Sequence, residues 1–443
     1  MNVTHFMIAA PSSGSGKTTL TLGLLRVLRQ RGYRVQPFKC GPDYIDSRHH
    51  ATAAGKTSLN LDTFLSSEAH VKELYTRYAS PSDIAVSEAV MGLFDGSDRM
   101  QNSSAHLATL LNIPIILVVN AKAMAYSAAP LLYGYKHFKP EIQIAGVIFN
   151  NVNTPTHYQF LKEASEDVGI EVLGYLPSNP DFEIPSRHLG LHISSETDYE
   201  AIIQRIADAL PQTVQVDRLL ELCNREISTL QRSSGRPFKH FRMAVAQDEA
   251  FSFYYPANLE ALKPWADLTF FSPLEDAVLP ETDFLYLPGG YPELHAQKLS
   301  ENRSMLESIR AYSENGGTTY AECGGLMYLG KRMTNDANQT FDMVGLFPYQ
   351  TTMQNRKLTL GYRRMHWKGR EFRGHEFHYS KIQEDESLPS VATITSAKGA
   401  PVTTKLFQYQ NTLATYAHIY WAEQPEFIMD WLEQSGRLTT SHV

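Results

Sequence analysis

Apolar residues recur along this chain in two rhythms, short runs of strand length and longer stretches at helical spacing, and the two alternate. Residues 4–10 form an apolar run of strand length, residues 20–28 repeat apolar positions at helical spacing, and Gly32 marks a stop. Further strands are predicted at 34–40, 84–87, 115–119, 144–149 and 172–176, followed by a closing helix over 199–210. The rhythm restarts at 243–246 and continues through 268–271, 284–287 and 318–321. Strands alternating with helices predict parallel, doubly wound α/β sheets. Between the two series lies Thr229-Leu-Gln-Arg-Ser-Ser-Gly-Arg-Pro237, polar and ending in proline. The expected organisation is a first domain at 1–228, a linker at 229–240 and a second domain at 241–443.

Composition agrees with two cores, since 443 residues at 43% hydrophobic content exceed what one core usually holds. A net charge of −7, with 20% charged residues and no long basic run, argues against a nucleic-acid partner. The N-terminal Met-Asn-Val-Thr-His-Phe lacks the basic region of a signal peptide, and no apolar stretch reaches spanning length. A soluble, cytoplasmic protein without a membrane partner is therefore expected. Cys40, Cys223 and Cys323 show no C-x-x-C spacing, so neither a disulfide framework nor a zinc site is indicated.

Chemistry enters at Pro11-Ser-Ser-Gly-Ser-Gly-Lys-Thr-Thr19, between the first strand and the first helix. Gly14 and Gly16 let the backbone wrap closely, so that N–H groups around Ser15 and Thr19 and the positive helix end face a polyphosphate. Lys17 supplies charge for the β/γ-phosphates and Thr18 a hydroxyl for Mg²⁺. ATP is the expected nucleotide, although Pro11 stands where G-x-x-x-x-G-K-[ST] has its first glycine. Asp43 and Asp46, past the second strand, are placed to meet Mg²⁺ or help activate a substrate, with turn formation as the plain alternative. Glu88 fits the strand-end carboxylate that holds the metal of P-loop proteins, and Asp95 follows in a glycine-flanked loop. Asn120, Asn150 and Asn151 end two strands, where amides can read an adenine edge.

The second half carries a different chemistry. Pro288-Gly-Gly-Tyr-Pro-Glu293 follows a buried strand, and its paired glycines expose backbone N–H groups as an oxyanion hole requires. Cys323, in Glu322-Cys-Gly-Gly-Leu326, lies between a strand and a helix N-terminus, which is a sulfur version of the nucleophile elbow. The helix end is expected to lower its thiol pKa. His418, after the apolar residues 413–417, is placed to serve as its base, with His378 as the alternative.

These motifs together resemble the cobyrinic acid a,c-diamide synthase family over nearly the full chain. The matching stretches are residues 10–19, 39–46, 91–96, 287–294, 321–326 and 373–380. The resemblance implies a P-loop NTPase-like domain joined to a class I glutamine amidotransferase domain of flavodoxin-like α/β type. It also implies that ATP, L-glutamine and Mg²⁺ are used to amidate the a- and c-acetates of a corrin ring in cobalamin biosynthesis. Cys323 would attack the glutamine amide, Gly290 and Gly324 would donate to the oxyanion, and His418 would transfer protons. Ammonia would travel within the protein to an acyl phosphate formed from ATP. In that picture Lys17, Thr18, Asp43, Glu88 and Asp95 hold ATP·Mg²⁺ and the reacting carboxylate in line, with Thr18, Asp46 and Glu88 as the metal ligands. Tyr420 occupies the position two after His418 where many class I glutaminases carry Glu, so a Cys–His pair is expected. Asn120 stands where family members often carry Asp. Cobyrinate is the expected partner, a homodimer is allowed, and alternatives are nickel-sirohydrochlorin diamide synthase or cobyric acid synthase. A partitioning-type P-loop ATPase switch leaves the Cys323 elbow unexplained, and a glutaminase serving CTP synthesis finds no uridine motif.

Overall fold

The first strand, β1 (Asn2–Ala9), is fully buried from Phe6 to Ala9 and turns directly into α1 (Lys17–Gln30). Leu20, Leu22, Leu24, Leu25 and Leu28 of α1 are completely buried, each contributing about 1.5–3 kcal/mol of apolar transfer energy. This is a computed structural model. It describes residues 2–184, 198–227, 239–383 and 388–436, and the chain divides into two units, Met1–Ser233 and Ser234–Val443. The expected linker lies almost wholly outside the described residues.

In the first unit β1 is joined by β2 (Val35–Cys40), β3 (Leu59–Leu61), β4 (Ile84–Glu88), β5 (Ile115–Asn120), β6 (Ile144–Asn150) and β7 (Val172–Leu176). All are parallel in the order β3-β2-β4-β1-β5-β6-β7. β8 (Asn224–Glu226) adds antiparallel to the start of β1. The strand order reverses around β1 and β4, which puts a ligand crevice at their carboxyl ends. Register then decides which side chains meet there: Ile8 of β1 and Lys39 of β2 both lie abreast of Glu88 of β4.

The second unit has a sheet of β9 (Phe241–Ala246), β10 (Ala266–Phe271), β11 (Phe284–Leu287) and β12 (Thr318–Glu322), extended by the strands Thr412–Thr415 and Leu406–Tyr409. The order is β10-β9-β11-β12 and then those two, parallel up to the antiparallel last strand. Two four-stranded sheets accompany it, and the expectation of strands and helices in alternation did not include them. One is built on the hairpin Thr359–Trp367 and Arg370–His378, whose turn residues Lys368 and Gly369 both have positive φ, as a two-residue hairpin turn demands.

His418 proves not to close a strand. The chain leaves the larger sheet after Thr415, whose Oγ1 accepts the Ala417 N–H at 3.2 Å, and His418 opens the strand His418–Tyr420 in the second sheet. No helix among the described residues is long and apolar enough to cross a membrane.

Candidate active site

The phosphate loop has the backbone that its glycines predict. Gly14 and Gly16 have φ of +73° and +98°, and Gly16 caps α1 without any side chain covering the first-turn N–H groups. Ser15 Oγ donates to Ser12 O at 2.9 Å, which holds the loop closed. Lys17 is 7% exposed and donates through Nζ to Met91 O at 2.7 Å and Ser12 O at 3.2 Å. Burial lowers its pKa, with the carboxylates of Glu88, Asp46 and Asp95 acting in the other direction. Thr18 Oγ1 donates to Glu88 Oε1 at 2.8 Å. Thr19 lies in the same first turn.

Asn150 has a different place from the one expected. Its Nδ2 donates to Ser15 O at 3.1 Å and its Oδ1 accepts the Asn151 N–H at 3.0 Å, so both ends of the amide hold backbone. A Cβ on Gly16 would fall 2.1 Å from Asn150 Nδ2. The amide braces the loop. Asn120 Oδ1 likewise accepts from Lys122 N and Asn151 Nδ2 at 3.1 and 3.0 Å.

Two of the expected metal ligands, Asp46 and Glu88, converge on the amine of Lys39. Lys39 Nζ lies 2.7 Å from Asp46 Oδ2 and 2.8 Å from Glu88 Oε1, and His50 Nε2 lies 2.7 Å from Glu88 Oε2. Burial opposes charge on Lys39, but Asp46 and Glu88 outweigh it and raise its pKa. For Glu88 burial acts upward, yet Lys39 and His50 hold its carboxyl down at about 2. Asp43 caps α2 (Tyr44–Ala54), its Oδ1 accepting from Ile45 N and Asp46 N at 3.0 Å, a contact worth about 1 kcal/mol. Asp95 Oδ2 accepts the Gly92 N–H at 2.9 Å within its own turn. Among the described residues no group of three or more His, Cys, Asp or Glu could by itself hold a metal ion. The donors nevertheless suit Mg²⁺ shared with phosphates, since Thr18 Oγ1 and the Glu88 and Asp46 carboxylates are hard oxygens gathered beside the phosphate loop.

In the second unit Cys323 has φ 46° and ψ −99°, the strained backbone of a nucleophile elbow. The following helix, Gly324–Leu329, is only six residues long. Cys323 is 6% exposed and belongs to a buried cluster that includes Tyr349, Tyr416 and Met327. Its pKa is raised, contrary to the expected lowering. Burial comes first and the carboxylates of Glu293 and Glu376 add to it, while the Gly324 N–H opposes them more weakly. Burial also pushes Glu293 up to about 7. Beyond Tyr416 opens a cavity of about 300 Å³ whose wall includes Glu376, His378, Lys381 and Lys405.

Glycine is required at the elbow's partner loop. A Cβ on Gly290 would lie 1.9 Å from Ala250 O, and one on Gly324 would lie 3.0 Å from Gly290 N, so the two backbones are nearly in contact. The amides of Gly289 and Gly325 are used by the fold, donating to Phe253 O at 3.1 Å and Pro288 O at 3.0 Å.

Of the candidate bases, His378 has Nδ1 2.8 Å from Ser380 O and Nε2 3.0 Å from Glu376 Oε1, so both nitrogens face oxygen acceptors. His418 is brought to the elbow by strand register, because Glu322 pairs with Thr415 and the Cys323 N–H donates to Thr415 O at 2.8 Å. Gly289 lies against its ring, and a Cβ there would stand 2.3 Å from Cε1. Gly289→Ala is therefore expected to push the imidazole aside and lower glutamine-driven turnover by about 10²-fold, a displacement effect. Ammonium-driven turnover, assayed in parallel, should be unaffected, whereas an equal fall in both would show that His418 is not the group disturbed.

A nucleotide-type loop in one unit and a thiol elbow in the other correspond to two family models. Residues 6–191 match a CobQ/CobB/MinD/ParA nucleotide binding domain, and residues 242–426 match a CobB/CobQ-like glutamine amidotransferase domain. The class is thus a glutamine amidotransferase fused to a nucleotide-binding unit. Over 444 residues the chain is 40% identical to a cobyrinate a,c-diamide synthase of Listeria innocua, spanning 96% of this chain and 97% of that protein. It is 39% identical to the Salmonella typhimurium enzyme of that name over 98% of both chains, and 40% identical to that of Caldanaerobacter subterraneus over 94% of both. The chain belongs to the cobyrinate a,c-diamide synthase family, and it is a carbon–nitrogen ligase that takes its nitrogen from glutamine. A partitioning-type switch does not account for the amidotransferase half.

Proposed function

We propose that this protein amidates the a- and c-carboxylates of cobyrinate, using ATP, Mg²⁺ and glutamine, through acyl phosphate intermediates. The observation that carries the reading is the joining of a strained, glycine-flanked cysteine to a phosphate-loop unit in one chain.

Glutamine enters the cavity beyond Tyr416, where Lys381 or Lys405 suits its carboxylate. Cys323 passes its proton to His418 and attacks the amide carbon, and the carbonyl pair moves to oxygen, where the Gly290 and Gly324 N–H groups receive it. The carbon–nitrogen bond then breaks as His418 protonates the nitrogen, giving ammonia and a thioester. Water, deprotonated by His418, releases glutamate. A resting thiol that is protonated fits this order, in which the base acts only when substrate is in place.

In the first unit Lys17 and the first-turn N–H groups of α1 hold the polyphosphate. Thr18 and Glu88, with Asp46 nearby, hold the Mg²⁺, which screens phosphate charge when bound. Lys39 orients Glu88 and Asp46, Asp43 fixes the start of α2, and Asp95 shapes the loop beside Lys17. A corrin carboxylate attacks the γ-phosphorus, ADP leaves, and ammonia delivered within the protein displaces phosphate from the acyl carbon.

The test is mass spectrometry of cobyrinate incubated with the protein, ATP, Mg²⁺ and glutamine labelled with ¹⁵N in the amide. Two successive carboxyl-to-carboxamide changes carrying the label are expected. No change with cobyrinate, but conversion of nickel-sirohydrochlorin, would reassign the substrate.

A further inference from the structure

Class I glutaminases that carry Glu two residues after the histidine use it to hold the imidazole, and Tyr420 stands there in this chain. A carboxylate is nevertheless present, supplied from the residue before the nucleophile. Glu322, the last residue of β12, is fully buried, and its Oε2 lies 3.6 Å from His418 Nδ1. Its Oε1 accepts the Ile419 N–H at 2.7 Å and its Oε2 accepts the Tyr286 hydroxyl at 2.8 Å. The carboxylate therefore grips the backbone of the strand that bears the histidine as well as facing its ring. On the other face His375 stacks on His418, with centroids 5.0 Å apart and planes at 19°, and its own Nδ1 is 2.5 Å from Tyr255 Oη.

From this geometry we infer that Glu322 is the positioning residue of the glutaminase, holding His418 and stabilising the imidazolium that forms when Cys323 gives up its proton. The inference rests on Cys323 and His418 as nucleophile and base. At 3.6 Å the contact is beyond hydrogen-bond range for a neutral ring and within reach of an ion pair once the ring is protonated, and such contacts tighten with substrate bound. With Nδ1 turned to Glu322, Nε2 is the nitrogen left for the thiol proton. Titratable groups that face His418 include Glu322 from the elbow and His375 from the strand Arg370–His378, with the Tyr286 hydroxyl behind Glu322. His375, whose pKa is lowered by burial, then by His418 and Arg363, adds no positive charge at neutral pH. Glu322 thus places a carboxylate against the ring. A carboxylate next to the nucleophile in sequence also explains how this chain can dispense with a Glu after the histidine.

Glu322→Gln keeps acceptors for Ile419 N–H and Tyr286 O–H but removes the charge. The expected result is a fall in kcat for glutamine hydrolysis of about 10²-fold or more, on the precedent of neutralising a triad carboxylate. KM for glutamine should stay within about threefold, the pattern of an interaction made in the transition state. Ammonium-driven amidation should be unchanged, and the acid limb of kcat/KM should move to lower pH, because the imidazolium has lost its partner. Tyr286→Phe, which disturbs the same packing without removing charge, should leave that limb in place. An unmoved acid limb in the Gln variant, or an equal loss of both activities, overturns the inference. Cys323→Ala assayed alongside separates the two levels: if it still hydrolyses glutamine, the nucleophile is wrong. If it is inactive while Glu322→Gln behaves as the parent, only the role of Glu322 is lost.

Discussion

Cys323→Ala should abolish glutamine-driven amidation, by about 10⁴-fold or more, while amidation from added ammonium stays near the parental rate. The substitution removes only Sγ, so the φ of 46° and the bonds of Cys323 N to Thr415 O and Gly325 N to Pro288 O are undisturbed. Loss of folding is therefore not the expected cause of inactivity. Ammonium would serve as a bypass because, in the proposed mechanism, the thiol is needed only to free ammonia from glutamine and the phosphate chemistry belongs to the other unit. The comparison is made best at mildly alkaline pH, where more of the added ammonium is unprotonated. A variant that used glutamine as well as the parent would remove Cys323 from the mechanism. One that lost both routes equally would show that the thiol is needed for the structure of the ligase reaction itself.

The raised thiol pKa also bears on how this site is kept quiet. A thiolate at rest would be exposed to oxidants and alkylating agents, whereas a protonated, 6% exposed thiol reacts slowly until a base takes its proton. In the proposed mechanism, burial and the nearby carboxylates Glu293 and Glu376 would thus hold the thiol protonated until substrate is in place. A helix N-terminus by itself would lower the thiol pKa. That helix has six residues, and the carboxylates that oppose it come from elsewhere in the chain.

The same contrast runs through both units. The phosphate loop, Glu88 and the Cys323 elbow were legible because each is a local pattern: a strand, a turn with glycines, a helix. Lys39 was read only as part of a motif, because its meeting with Glu88 depends on the register of β2 against β4. His50 reaches the same carboxylate from α2, across a distance that no spacing rule encodes. Asn150 was expected to face nucleotide, since a strand-end amide says nothing of the loop that packs on it. Glu322 looked like the last residue of a strand, and becomes a partner of His418 only when Thr415 pairs with it and the chain then crosses to the second sheet. The hairpin Thr359–Trp367 and Arg370–His378 was missed for a different reason. Arg363, Glu376 and His375 are buried while Leu360 and Phe377 are exposed, which breaks the apolar rhythm by which the other strands were found.

Lys17→Ala should lose amidation from both glutamine and ammonium, by about 10³-fold, the cost of removing a charged donor from a preorganised phosphate site. In the structure Nζ is held by Met91 O and Ser12 O, carbonyls of the two loops that border the crevice. The surrounding carboxylates of Glu88, Asp46 and Asp95 make the pocket strongly negative apart from Lys17 and Lys39, and Lys39 is already engaged by Asp46 and Glu88. Lys17 is thus the cation best placed to turn toward an arriving phosphate, by exchanging neutral carbonyls for phosphate oxygens. Its removal takes a positive charge from beside these carboxylates and leaves the first-turn N–H groups of α1, with Mg²⁺ when bound, to hold the nucleotide. Arginine in its place should recover little, since the planar guanidinium needs more room than a 7% exposed ammonium occupies. Because the substitution lies in the first unit, glutamine hydrolysis without amidation should remain measurable, and nucleotide binding by calorimetry should weaken in step with the loss of product. Ammonium-driven amidation above about a tenth of the parental rate would mean that the loop binds phosphate through its backbone alone, with Lys17 needed only to tie Ser12 to Met91.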